Sequence, residues 1–240
     1  MPRIEDISQN YTAWKKWPLD FSYSEDDYEY YSREFHDFII PGSKIIEIGF
    51  GNGGFLKYAE ELGAQVIGIE IDDEILINAK NKGYTVYKNL DEVPNSLLKS
   101  IDLVVALDVF EHLSSEAIIK TLADSATLLR QGGRLIVRAP NGVSPFGRIN
   151  QYGDCTHRTV ITPLKMDQFC SNLPLVIEIV RNPARVLGTG TIRLKRIIQH
   201  YLRDLMNFII QKIYEMYPLP FDTNIVIILK KECNPSTHED

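Results

Sequence analysis

Lys44–Leu56 reads KIIEIGFGNGGFL. Ile45, Ile46 and Ile48 make a short apolar run closed by glycines, the pattern of a buried strand. Gly49, Gly51 and Gly54 then fit G-x-G-x-x-G, the spacing of a tight turn from a strand into a helix N-terminus. That motif alone admits a dinucleotide, and it equally admits a plain strand-to-helix turn. Glu47 is the unusual residue. A buried carboxylate without a partner is costly, and a pyrophosphate gains nothing from a carboxylate two residues away. A ligand carrying an ammonium group does. The alternative role for Glu47 is to accept from the loop's own amides.

Outward from this stretch the chain alternates short apolar strands with amphipathic segments. Strands are expected at 44–48, 65–71, 84–88, 101–107 and 134–139. Helices are expected at 53–62, 73–82 and 115–130, the last ending at Gly132-Gly133. Near-continuous apolar strands separated by helices mean βαβ units and a parallel sheet covered on both faces. Upstream, Ser24 followed by Glu25, Asp26 and Asp27 reads as a capped helix start, with the helix ending near Pro41-Gly42. Residues 1–43 are thus expected to form a helical cap or lid, and 44–231 the main domain. Within that domain, 141–172 interrupts the rhythm as a polar insertion with a short helix before Asn172. A strand at 175–181, an apolar helix at 191–217 and a closing strand, Asn224–Lys231, follow. The tail, 232–240, is expected to be disordered.

The 240 residues carry 26 basic and 32 acidic side chains, a net charge of −6. This gives no global electrostatic case for binding nucleic acid. No signal peptide is read at the N-terminus, and no apolar run approaches the roughly 18 residues of a membrane span. Three cysteines without metal-type spacing fit a reducing compartment, so a cytoplasmic location is expected.

Four segments, EIGFGNGGF, VIGIEID, LVVALDVFEHL and LLRQGGRLIVRAPN, resemble in order and spacing the motifs of class I S-adenosylmethionine-dependent methyltransferases. The resemblance covers about Ile45 to Asn141. It implies an α/β fold, a doubly wound Rossmann-like seven-stranded sheet with helices on both faces and an antiparallel last strand, which Asn224–Lys231 would supply. It implies S-adenosyl-L-methionine as cofactor. Glu47 would hold the methionine ammonium, Gly49, Gly51 and Gly53 would line the methionine and ribose, and Glu70, with Ile71 beside it, would bind the ribose hydroxyls. Asp91 falls in the segment that frames the adenine in that family, although the usual Gly-Asp is missing here. Asp108 would face the cofactor after the fourth strand.

The acceptor side is read from YGDCTHRTVIT, Tyr152–Thr162. It resembles a stretch of methyltransferases from bacterial surface-polysaccharide biosynthesis, which implies a sugar hydroxyl as acceptor. An alkyl hydroxyl is a poor nucleophile and wants a base. His157 is the candidate, with Asp154 as orienter; substrate binding without proton transfer and a self-bonded turn are the alternatives. Arg148 and Arg158 are candidates for an anionic acceptor, and His112 for ligand contact. No metal site is expected. Cys155 needs no part in chemistry with a sulfonium donor.

The expected function is methyl transfer to a hydroxyl of a sugar or saccharide intermediate. The alternatives are another small molecule such as a quinone-type precursor, RNA, an NAD-dependent oxidoreductase, or a non-catalytic cofactor-binding module. The helix at 191–212 has five basic residues against Asp204, a net of +4 (5 − 1). A homodimer and a peripheral membrane contact are both open expectations for it.

Overall fold

β1 (Lys44–Ile48) is an interior strand, hydrogen-bonded to β2 (Gln65–Ile69) on one side and β4 (Ile101–Leu107) on the other, all parallel. The structure, a computed structural model, describes residues 19–215 and 219–232. The other strands are β3 (Thr85–Tyr87), β5 (Leu129–Pro140), β6 (Leu175–Arg181) and β7 (Asn224–Lys231), and the sheet order is β3-β2-β1-β4-β5-β7-β6. β7 runs antiparallel to both neighbours. This is the expected doubly wound seven-stranded sheet with its last strand reversed.

Side chains leave each strand alternately to opposite faces, and both faces are apolar. On one, Ile46, Val104, Val137 and Ile227 pack beneath α4 (Ser115–Leu128) and α6 (Pro163–Cys170). On the other, Ile45, Val105, Ile136 and Ile228 pack beneath α1 (Glu25–Phe35) and α2 (Gly54–Glu61). α3 (Asp73–Asn81) follows β2 and is capped by Asp72, which accepts from the Glu74 and Ile75 amides. Residue parity puts Glu47 on the same face as Ile45, under α1 and α2.

Three boundaries differ from the sequence reading. α1 starts as expected, with Ser24 and Asp27 in a reciprocal capping box, but it ends at Phe35. The turn Phe35–Ile39 follows, and Pro41 keeps Ile40 out of helical geometry. α4 stops at Leu128, and β5 begins at once at Leu129 rather than at 134. Ile101 pairs with Leu129 and Leu103 with Arg134, so Gly132-Gly133 lie in a bulge rather than at a helix end. A Cβ on Gly133 would come within 2.9 Å of the Arg130 carbonyl oxygen, which is why a glycine sits there. In the insertion 141–172 the expected short helix is Pro163–Cys170, but the stretch before it is not all loop, since α5 (Arg148–Gly153) lies there.

Of the expected cap, residues 1–18 lie outside the described residues. Leu19–Tyr23 crosses the glycine loop. Phe21 is buried, stacks on Tyr84 at 4.4 Å and packs near Phe50, while Asn78 Nδ2 donates to the Leu19 carbonyl at 2.7 Å. The C-terminal helix, α7 (Gly190–Ile213), is 24 residues long. Glu232, placed in the expected tail, donates its amide to Pro174 at 3.1 Å; residues 233–240 lie outside the described residues. Among the described residues, no helix is long and apolar enough to cross a membrane.

Candidate active site

The site collects at the carboxyl ends of β1, β2, β4 and β5, where an open parallel sheet has its crevice. The loop after β1 reaches it through left-handed backbone, with φ of +68° at Gly49, +50° at Gly51 and +74° at Gly53. At Gly49 a Cβ would lie 2.6 Å from Val109 Cγ2, and at Gly53 it would run into the Phe21 ring. Both positions need glycine for conformation and for space.

Glu47 is 4% exposed, and its Oε2 has no hydrogen-bond partner among the described residues. Burial pushes its pKa well up, the Glu70 carboxylate adds to that, and Arg138 and the Leu56 amide act against it. Among the described residues, none supplies a hydrogen-bonded cation for Glu47. Glu70, just past β2, accepts from the amides of Gly51 (3.2 Å), Ile71 (2.8 Å) and Asp72 (3.2 Å). Its pKa is nevertheless raised, with burial as the largest cause. Ile71 is exposed.

Asp108 follows β4 with φ +57° and is gripped by Arg138 of β5 through two hydrogen bonds, Nε to Oδ1 (3.1 Å) and Nη2 to Oδ2. Arg138 also lies 5.0 Å from the Tyr30 ring centre. Glu111 is buried with Oε2 unpartnered; burial first, then the Asp108 charge, pushes its pKa up to about 8. Asp91 stands elsewhere, exposed and ion-paired with Lys120 at 2.9 Å on the outside of α4.

On the acceptor side, His112 and His157 meet edge to face with ring centres 4.6 Å apart. His157 Nδ1 is 3.1 Å from the Gln151 carbonyl oxygen, which can only accept, so Nδ1 is the donor of that contact. Asp154 lies 4.0 Å from His157 Nε2 and is committed to Thr156, accepting from its amide (2.9 Å) and hydroxyl (2.6 Å). Burial acts to raise the Asp154 pKa, but those two bonds and the neighbouring imidazoles leave it lowered. Thr156 Oγ1 in turn is 2.9 Å from His112 Nδ1. A carboxylate–hydroxyl–imidazole chain therefore backs His112, while a carbonyl orients His157. Arg148 is exposed beside Tyr152, at 5.9 Å from its ring centre; Arg158 is exposed, and its amide donates to the Glu111 carbonyl at 2.7 Å.

Glu47, Glu70 and the glycine loop thus form one cluster, and Asp108, Glu111, His112, Asp154 and His157 a second beside it. Glu111, Arg138, Gln151 and Thr156 escaped the sequence reading. Arg138 had a signal, a cation directly after the apolar run Leu135–Val137; Gln151 acts through its backbone and had none. No metal site was expected, yet one ligand atom each of Glu111, His112 and His157 lies within 4.8 Å of the others.

A donor set of this kind invites comparison with known proteins. Residues 46–137 match the methyltransferase domain family Methyltransf_11. A ubiquinone biosynthesis O-methyltransferase from Cupriavidus pinatubonensis is 27% identical over 157 residues, 57% of this chain and 61% of that protein. A ribosomal protein L11 methyltransferase from Symbiobacterium thermophilum is 29% identical over 43% of this chain and 34% of its own length. The chain therefore spans only about a third to three fifths of these two relatives. A solved SAM-dependent methyltransferase from Archaeoglobus fulgidus superposes with a TM-score of 0.62 at 21% identity, covering 92% of this chain and 99% of that one. This chain has the fold of the S-adenosylmethionine-dependent methyltransferases, and its residues 46–137 carry the sequence pattern of their methyltransferase domain.

Proposed function

We propose that the chain is an S-adenosylmethionine-dependent O-methyltransferase acting on a hydroxyl of a small molecule, with a sugar or saccharide intermediate as the acceptor class. One observation carries the cofactor assignment: the buried, unpartnered Oε2 of Glu47. A folded chain keeps such an oxygen where a ligand satisfies it, and an ammonium group does so. The residues present fit that cofactor. Glu47 would take its amino group, Gly49 and Gly53 leave room for close backbone approach, and Glu70 follows β2 at the sheet edge where ribose hydroxyls would be accepted. When bound, the cofactor supplies an electrophilic methyl group and its own leaving group.

The chain's task is to orient the acceptor, exclude water and take a proton. His157 is the proposed base. The Gln151 carbonyl holds Nδ1–H and turns Nε2 toward the site, and proton acceptance there is worth roughly 10²- to 10⁴-fold in rate. Exposed Arg148 and Arg158 suit an anionic sugar acceptor. The cytoplasm is the proposed compartment, in keeping with free Cys155 and Cys170.

A second reading has its own observation, the ubiquinone-pathway name of the Cupriavidus relative. It would make the acceptor a phenol of a quinone precursor. A phenol, with a pKa near 10, needs a base less than an alkyl alcohol does. The test is a methyl-transfer assay by mass spectrometry over nucleotide sugars and catechols, with wild type and His157→Ala. Methylated sugar, with turnover falling at least about 100-fold in the variant, is the expected result. A methylated catechol with an unaffected variant would replace it with the second reading.

A further inference from the structure

α7 is built inside out. No residue of Gly190–Ile213 is buried, and the bonds that tie its side chains to the body come from polar residues. Arg196 pairs with Asp26 (2.6 Å), Asp204 with Arg185 (2.7 Å), Gln211 Nε2 donates to the Leu219 carbonyl (3.1 Å), and His200 Nε2 lies 3.4 Å from the Val186 carbonyl oxygen. Positions 196, 200, 204 and 211 fall on one face of an α-helix. The opposite face is a stripe of large apolar side chains, among them Leu194 (64% exposed), Ile198 (51%), Tyr201 (68%), Leu205 (44%) and Phe208 (59%). A helix normally turns such a stripe to the core. Here it runs along the outside for roughly 36 Å, at 1.5 Å per residue.

Charge selects what covers it. At 100° per residue, Lys195 borders the stripe and Lys212 lies on it at the C-terminal end, over the Phe208 ring at 5.8 Å, while Arg193 and Arg203 are exposed on the flank of the polar face. Arg193, Lys195 and Arg203 have no side-chain partner among the described residues, and the one acid of the helix, Asp204, is on the body side and neutralised by Arg185. A second copy laid on this stripe would set Lys195 and Lys212 against their own kind. An anionic surface would pair with them while the stripe leaves water.

We infer that α7 is an interfacial helix that seats the protein on anionic lipid, its apolar stripe entering the headgroup boundary and Lys195 and Lys212 meeting phosphate. The inference is independent of the acceptor proposed above.

The test is co-sedimentation of the full chain with phosphatidylglycerol-containing and with pure phosphatidylcholine vesicles at low and physiological salt. Binding to the anionic vesicles alone, weakened by salt, is expected. Lys195→Gln with Lys212→Gln should lower that binding on the order of twenty-fold. Leu194→Glu with Leu205→Glu should abolish it and leave the melting temperature unchanged, because both positions are exposed. No binding to anionic vesicles overturns the inference, and so does equal binding to neutral ones. A micromolar dimer seen by light scattering, which Leu205→Glu makes monomeric, also overturns it and gives the stripe to a second copy.

Discussion

Arg138 and Asp108 stand at the carboxyl ends of adjacent strands, and their pairing commits the guanidinium that Glu47 and Glu111 also feel. β4–β5 register sets them side by side, since Leu107 pairs with Arg138 and the Asp108 amide donates to the Arg138 carbonyl at 2.9 Å. One cation thus stands among Glu47, Glu70, Asp108 and Glu111. Removing it by Arg138→Met leaves the carboxyls uncompensated. A loss of about 2–3 kcal/mol of stability is expected, below the roughly 3–5 kcal/mol of a fully buried pair because the pair is partly exposed. Urea denaturation at pH 7 measures it.

Glu47→Gln keeps the shape of the side chain and deletes its charge. Affinity for S-adenosylmethionine should fall about 10- to 100-fold, the worth of one charged hydrogen bond, and isothermal calorimetry reads this directly. The same instrument tests the proton. Burial keeps Glu47 protonated to a higher pH in the free protein, and an ammonium partner favours its ionised form. Binding near neutrality should therefore release a proton in the wild type, seen as a dependence of the enthalpy on buffer, and not in the variant.

The Glu111 carboxyl is pushed from an ordinary 4.5 up to about 8. A raised carboxyl gives the folded state more bound protons than the unfolded state between those two values, so its favourable contribution is complete below the lower one and lost as pH climbs to about 8. Glu111→Gln removes the titration. The variant should gain about 2–4 kcal/mol over wild type on going from pH 5 to pH 8.5. Thermal melts at the two pH values check the sign and the size.

Gly53→Ala puts a methyl group against the buried Phe21 ring and at a φ of +74°. A cost of about 2 kcal/mol is expected, from strain and overpacking together. Gly53→Ala with Phe21→Ala should recover part of it, and a double-mutant cycle by chemical denaturation gives the coupling.

Much of this arrangement is legible in local sequence. KIIEIGFGNGGFL gives strand, turn and helix because apolar run, glycine spacing and acid occur within thirteen consecutive residues. Other features depend on distant pairing. Phe110–His112 and Thr156–His157 are more than forty residues apart, and only the fold brings the two imidazoles together. Gly132-Gly133 looks like a helix stop because the bulge that holds it is formed against Ile101. The stripe on α7 is plain from its period, but periodicity marks an apolar face without saying which way it turns. Asp26, far from the helix in sequence, and Arg185, just before it, turn it outward by holding Arg196 and Asp204.

The last strand in sequence is an interior strand of the sheet. β7 lies between β5 and β6 and bonds to both. While the chain is still emerging from the ribosome, β5 has one open edge and β6 has no partner until residues as far as Lys231 have left the exit tunnel. The nucleotide-cleft half can therefore form early during synthesis, but the sheet is sealed after it, and a stalled or clipped chain would present two sticky edges to whatever chaperone or aggregate meets it first.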